Sequence, residues 1–318
     1  MVRGKQLALF LVSVVTIGLM MHTALNLSYL DCTGAVHERV MLDDSAARVL
    51  HQQVKVLCWI PSIEKQLYSK VRAVNDTWVR RCDKHVFFIN TQDNDVSDDV
   101  VKLDVPDGYY NLTKKSMAAL SYLYQHHGRD YDWFLKGDDD AYVVMENLKF
   151  LLSHYDPSEP VYLGHLYKMH HKEGYMSGGA SYAISREALR LVNEQGIQKD
   201  KCTKSGRYED VEVAKCLHTA GVASHVSRDR FGRDMFHPLR PRIHIVGPIP
   251  PEQVPQDRFP MVAGAECCSQ LSISFHKVDP DLMRIFDHLL YRTSVYGRRL
   301  DLEGLQGFIQ PGAVPPLR

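Results

Sequence analysis

The chain has 318 residues, and its 38 Lys+Arg balance its 38 Asp+Glu, so the formal net charge is zero. With 45% apolar and 24% charged residues it has the make-up of a folded protein of one large or two small domains, not of a disordered chain. The charge balance argues against a nucleic-acid binder held by a basic field, and a mean hydropathy of −0.26 argues against a polytopic membrane protein.

Residues 6–30 carry no Asp, Glu, Lys or Arg, and 7–21 read LALFLVSVVTIGLMM. About 20 such residues in a helix cross a bilayer. Arg3 and Lys5 precede the run and Asp31 is the first charge after it. The positive-inside rule then leaves the N-terminus in the cytosol and the body in a lumen or outside. The expected layout is a cytoplasmic tail at 1–6, a transmembrane signal anchor at 7–27 and a stem at 28–50, in a single-pass type II protein. A cleaved signal peptide is the rival reading, but cleavage after Ala24 would put His22 where a small residue is wanted. Both deliver the body to an oxidising compartment. The cysteines Cys32, Cys58, Cys82, Cys202, Cys216, Cys267 and Cys268 suit it. They lack a clean C-x-x-C spacing, so disulfides are expected rather than zinc. The odd count leaves one over, and Cys32, just past the anchor, is the candidate for a bond between chains. Asn75 and Asn111 open glycosylation sequons.

Along the body, 54–60 reads as a strand ending at Pro61, and 64–82 as a helix with apolar residues at helical spacing. Strands follow at 85–89 and 101–105, then a helix at 113–127 with Thr113 as N-cap. The apolar strand 131–135 runs straight into Gly137 and Asp138-Asp139-Asp140. A helix at 145–155, a strand at 161–164 and a helix from Arg186 come next. After Gly247 the chain is rich in proline and shows no clear pattern. Strands alternating with helices imply an α/β layer architecture with a largely parallel sheet. Ligands sit at the carboxyl ends of such strands, and the aspartates lie at one of those ends. Trp59, Trp78 and Trp133 are expected in the core.

Three adjacent carboxylates repel one another unless a cation is near. A hard divalent cation with nucleotide phosphates would relieve that repulsion. In extended backbone Asp138 and Asp140 share a face, whereas a solvated acidic turn would need no ligand. The surrounding DWFLKGDDDAYVVMENLKFLL resembles the D-x-D block of the β1,3-glycosyltransferases of glycosyltransferase family 31. Further blocks agree in order: LCWI and TWVRRC before residue 83, YLGH at 162–165, GYMSGGASYAISREAL at 174–189, EDVEVAKC at 209–216 and FHP at 236–238. CCSQLSISFHKVD at 267–279 resembles a segment of the subgroup that builds core 1 O-glycans. The similarity runs from about residue 52 to 297.

The resemblance implies a GT-A fold, a Rossmann-like mixed sheet flanked by helices, over a catalytic domain at 51–300 with a tail at 301–318. It implies an inverting transfer from a UDP-sugar with Mn²⁺. Asp138 and Asp140 would then serve the metal, Asp138 and Asp139 the nucleotide, and His237 would be the further metal ligand. Asp210 would be the base, with Glu209 in reserve. The residues alone read more readily as an acidic pair favoured by a helix start. Tyr175, Gly178 and Gly179 belong to a loop that would flank donor sugar and acceptor. Lys115, or Lys114 in another register, would lie near the diphosphate, with Arg72 a further candidate. Cys58 with Cys82, and Cys202 with Cys216, recur in the subgroup, while Cys267 and Cys268 either bridge each other or pair elsewhere.

For function, the subgroup implies galactose moved from UDP-galactose to the 3-hydroxyl of GalNAc on Ser/Thr of glycoprotein acceptors. The setting would be the Golgi membrane, in a homodimer, with a folding chaperone as a further partner and no nucleic acid. The alternatives are a catalytically silent chaperone and a family 31 transferase with another acceptor. Retention of Asp138, Asp140, Glu209, Asp210 and His237 disfavours the first, and the paired cysteines disfavour the second. One departure bears on the acceptor: 251–266 has only Phe259 as an aromatic, and Gln270 stands where Asp is usual.

Overall fold

A computed structural model describes residues 44–93, 97–206, 208–296 and 300–315. The expected tail and anchor, most of the stem and Cys32 lie outside those residues. Among the described residues no helix is long and apolar enough to cross a membrane. The expected boundary at residue 51 falls inside a helix, α1 (Ser45–Gln53), so the last residues assigned to the stem are regular structure.

In chain order the strands are β1 (Val56–Pro61), β2 (Lys84–Phe88), β3 (Val100–Val101), β4 (Trp133–Lys136), β5 (Tyr142–Val143) and β6 (Val161–Gly164). They continue with β7 (Leu166–Tyr167), β8 (Tyr175–Met176), β9 (Tyr182–Ser185), β10 (Ala223–Ser224), β11 (Phe236–His237) and β12 (Ser274–Phe275). The main sheet has the order β10-β6-β9-β4-β1-β2-β3. All its pairings are parallel except those of β9, which runs antiparallel to β4 and β6. The sheet is therefore mixed, as the resemblance implies, with four of its six pairings parallel. The chain leaves β6, forms the β7-β8 ribbon and returns as β9 between β6 and β4. A smaller sheet, β11-β12-β5, and the ribbon β7-β8 stand beside it.

The helices are α2 (Arg72–Asp76), α3 (Leu112–His127), α4 (Met145–Leu152), α5 (Arg186–Leu191), α6 (Glu209–Thr219), α7 (Pro241–Ile245) and α8 (Pro280–Tyr291). The sequence helix at 64–82 is broken. It starts as a 3₁₀ turn at Glu64–Gln66, widens over Leu67–Val71, passes through α2 and tightens again at Trp78–Arg81. Thr77 explains part of this: its hydroxyl donates to the Ala73 carbonyl at 2.7 Å, bonding the backbone locally. Thr113 is not the cap of α3. It is buried inside the first turn, and Asn111 holds the cap position without a side-chain bond.

Strand β1 is apolar throughout because both its faces are covered. Val56, Cys58 and Ile60 point into one core layer, with Val74, Leu148 and Leu151 from the α2 and α4 side. Leu57 and Trp59 point into the other, with Met117, Leu120, Val213 and Leu217 from α3 and α6. Trp59, Trp78 and Trp133 are all buried, as expected.

Three disulfides join Cys58 to Cys82, Cys202 to Cys216, and Cys267 to Cys268. The first ties the middle of β1 to the end of the broken helix across a sequence separation of 24. Closing a loop of that size contributes about 3 kcal/mol by restricting the unfolded chain. Mass mapping of the unreduced protein is expected to recover these three pairs, and the Cys58→Ser/Cys82→Ser double variant to melt several degrees lower.

Candidate functional site

Strand β4 ends on Lys136, whose ammonium is 3% exposed and bonds to the Asp138 carboxylate and, at 3.1 Å, to the Gly178 carbonyl. Burial alone would discharge such a lysine. Here the carboxylates of Asp138, Glu209 and Asp210 outweigh burial and hold its pKa above the ordinary value. The chain then turns through the aspartates before β5. Asp139 goes its own way: it accepts from Ser62 Oγ at 2.6 Å and from Lys70 Nζ at 3.1 Å. Asp140 accepts from Lys70 Nζ at 3.0 Å and faces His276 Nε2 at 3.3 Å. Burial opposes the charge of Asp140, but His276 and Lys70 keep its carboxyl well below the usual range.

His276 follows directly after β12. Its Nδ1 lies 3.0 Å from the Pro238 carbonyl, a bond that requires the proton on Nδ1 and leaves Nε2 turned to the aspartates. Ligand atoms of Asp138, Asp140 and His276 all lie within 4.8 Å of one another. Two carboxylates and an imidazole suit a hard-to-borderline divalent cation such as Mn²⁺ or Mg²⁺. This geometry corrects the expectation for His237. That residue is buried on the other side of the β11-β12 pair, stacked on Phe275 with ring centroids 4.4 Å apart. Its Nε2 meets Ser272 Oγ at 3.0 Å, and its neighbours are His244 and Cys267. The register pairs His237 with Phe275, and successive side chains alternate faces, so His276 points the opposite way. The sequence contains Phe-His twice, at 236–237 and 275–276, and the copy next to proline is the one that lies away from Asp138 and Asp140.

The lysines divide similarly. Lys115 is buried in α3, and its Nζ donates to the Ser62 carbonyl at 2.7 Å and to Asp107 at 2.8 Å. It therefore reaches Asp139 through the single residue Ser62. Lys114 is exposed. Arg72 does not join the site. It is exposed on α2, paired with Asp76 at 3.8 Å, while Lys70 takes the place expected for it. Lys70, Lys136, Ser62 and Ser116 were not singled out from sequence, because nothing in their spacing sets them apart from surface residues.

The second half of the site is the start of α6. Glu209 Oε1 accepts from Ser116 Oγ of α3 at 2.6 Å. Asp210 accepts from the Gly178 N–H at 3.2 Å and from the Val211 N–H at 3.0 Å. The loop after Tyr175, itself buried in β8, is tight at its two glycines. A Cβ on Gly178 would meet Glu209 Oε2 at 3.2 Å and Lys136 Nζ at 3.3 Å, and one on Gly179 would strike the His276 ring at 2.1 Å. These two glycines thus let the aspartate–histidine group and the α6 carboxylates approach each other. Burial, with repulsion from Asp210, pushes Glu209 up to about 7 in spite of Lys136. Burial likewise raises Asp210. Such a pair can hold or take one proton near neutral pH, as a general base must.

The profile of the Fringe-like family matches residues 56–287. A Xenopus laevis protein named glycoprotein-N-acetylgalactosamine 3-beta-galactosyltransferase 1 is 34% identical over 277 residues, 86% of this chain and 76% of its own length. Human chondroitin sulfate synthase 3 is 28% identical over 181 residues, 51% of this chain and 20% of that protein. Mouse beta-1,3-glucosyltransferase is 24% identical over 241 residues, 70% of this chain and 43% of that protein. The chain thus spans less than half the length of these last two.

The raised Glu209 gives a measurable pH signature. Between its ordinary 4.5 and about 7 the folded protein keeps a proton that the unfolded chain has released. Its contribution to stability therefore falls as pH rises through that window. Glu209→Gln keeps the Ser116 bond and removes the loss. Without metal or nucleotide the variant is expected to melt about 3 °C or more above the parent at pH 8 and level with it at pH 4.

Proposed function

The chain belongs to the Fringe-like family, and from that membership we propose that it is an inverting GT-A glycosyltransferase. It moves galactose from UDP-galactose to the 3-hydroxyl of GalNAc on Ser or Thr, at the Golgi membrane. One observation carries the reading: a cation-ready group and a pair of proton-accepting carboxylates meet at a single buried lysine, Lys136. The sugar and acceptor are those in the name of the Xenopus relative.

The chemistry needs two things from the chain. The acceptor oxygen must lose its proton as its electron pair attacks the anomeric carbon from the face opposite UDP. The bond from that carbon to the UDP oxygen must break as the electrons pass to the diphosphate. Asp210, with Glu209 beside it, takes the proton at the 3-hydroxyl. Mn²⁺ held by Asp138, Asp140 and His276 would neutralise the departing diphosphate. Asp138 and Asp139 also face the nucleotide, while Lys70 and Lys115 add positive charge on that side. Gly178 and Gly179 keep the backbone clear for the sugar between the two halves.

The test uses the protein from a secretory host with UDP-galactose, a GalNAc-Thr peptide and either Mn²⁺ or EDTA. One added hexose is expected by mass spectrometry, lost with EDTA and in Asp140→Ala. His276→Ala is expected to weaken Mn²⁺ binding at least about tenfold, and His237→Ala to leave it unchanged. A folded protein that neither binds UDP nor transfers would overturn the reading and favour a chaperone. UDP binding without transfer would keep the donor half and reject the acceptor.

A further inference from the structure

Two residues beside the start of α6 are not of the types that their backbone positions favour. Tyr208 is the N-cap residue of α6, directly before Glu209, and its side chain makes no capping bond. Helix starts favour Ser, Thr, Asp or Asn there, so a tyrosine gives up helix stability. His170, in the loop of the β7-β8 ribbon, has φ 65°. Residues other than glycine avoid that left-handed region, and those that adopt it cluster at active sites and ligand clamps. The two rings meet. Their centroids are 5.3 Å apart at 21°, a stacked pair. Tyr208 is 39% exposed and His170 is exposed too. Tyr175 lies behind them, buried, with its ring 6.4 Å from His170.

The segment 251–266 offers little aromatic surface. Its one aromatic, Phe259, lies under the Arg228 guanidinium at 4.7 Å. Tyr208 directly precedes Glu209 and Asp210 in the chain, whereas Lys70 and Ser62 bond to Asp139, with Lys115 behind Ser62. A flat aromatic face beside a proton acceptor suits a pyranose, whose ring presents a C–H face to it and its hydroxyls elsewhere. We infer that the Tyr208–His170 pair is the platform on which the acceptor sugar packs, holding its reacting hydroxyl toward Glu209 and Asp210. The inference rests on the transfer reaction proposed above and adds the surface that selects its acceptor.

The test compares the full-length parent with Tyr208→Ser, Tyr208→Phe and His170→Ala. It reads the KM for a GalNAc-Thr glycopeptide at saturating UDP-galactose, UDP affinity by calorimetry, and Tm. Loss of about 1.4 kcal/mol of stacking raises acceptor KM about tenfold, and that rise is expected for Tyr208→Ser and His170→Ala with UDP affinity unchanged. Serine is the better cap, so Tyr208→Ser is expected to melt at or above the parent temperature, which a merely structural tyrosine would not allow. Tyr208→Phe is expected to keep the parent KM. An unchanged acceptor KM in Tyr208→Ser, or a parallel loss of UDP affinity, overturns the inference and leaves the transfer reading standing. A parent that neither transfers to the glycopeptide nor binds it by saturation-transfer NMR overturns both.

Discussion

The buried ammonium of Lys136 is the interaction on which the site depends. Asp138, Asp139, Asp140, Glu209 and Asp210 crowd together at the ends of β4 and α6, and burial makes their mutual repulsion costly. One cation inside the cluster, bonded to Asp138 and to the Gly178 carbonyl, offsets much of that cost. Its position in turn requires β4 to end where it does and β9 to lie beside β4 in the reverse direction. It also requires two glycines, one where a Cβ would strike the His276 ring and one where it would crowd Glu209 and Lys136. Breaking a pair of this kind leaves an uncompensated buried charge, the expensive case for an internal ion pair.

Much of this was legible in the sequence because it is written in local pattern. The Asp block follows an apolar strand, and Glu209 and Asp210 begin a helix, so their placement at element ends needed no tertiary information. Lys115 was reachable in the same way, once its exposed neighbour Lys114 is set aside. What could not be read depends on register and on helical rotation. His276 and His237 differ by which face of a two-residue strand pairing they occupy, and no periodicity exists over so short a strand. Lys70 and Arg72 differ by a rotation that the widened turn at Leu67–Val71 and the flanking 3₁₀ turns alter, whereas a regular helix was assumed. The direction of β9 rests on its pairing with β4 and β6, which strand propensity does not report.

The two halves of the site differ in the kind of structure that builds them. The proposed nucleotide side would be made from β1, β4 and α3, elements of the main sheet and its covering layer. The proposed acceptor side would be made from the β7-β8 ribbon and the residue before α6. Loops held on a rigid sheet are where binding preference changes most readily. Relatives named for galactose, glucose and chondroitin chemistry align with one and the same chain, in keeping with that division.

The first turn of α3 joins these halves through adjacent residues. Lys115 holds Ser62, which holds Asp139; Ser116, the next residue along, holds Glu209. A helix turn moves as a stiff piece, so a nucleotide that draws Lys115 toward its phosphates drags the Ser116 hydroxyl with it. The proton acceptor would sense donor occupancy through one peptide unit, with no relay of side chains between them. Such a linkage would favour an enzyme that loads its nucleotide before its acceptor and leaves lone acceptors untouched.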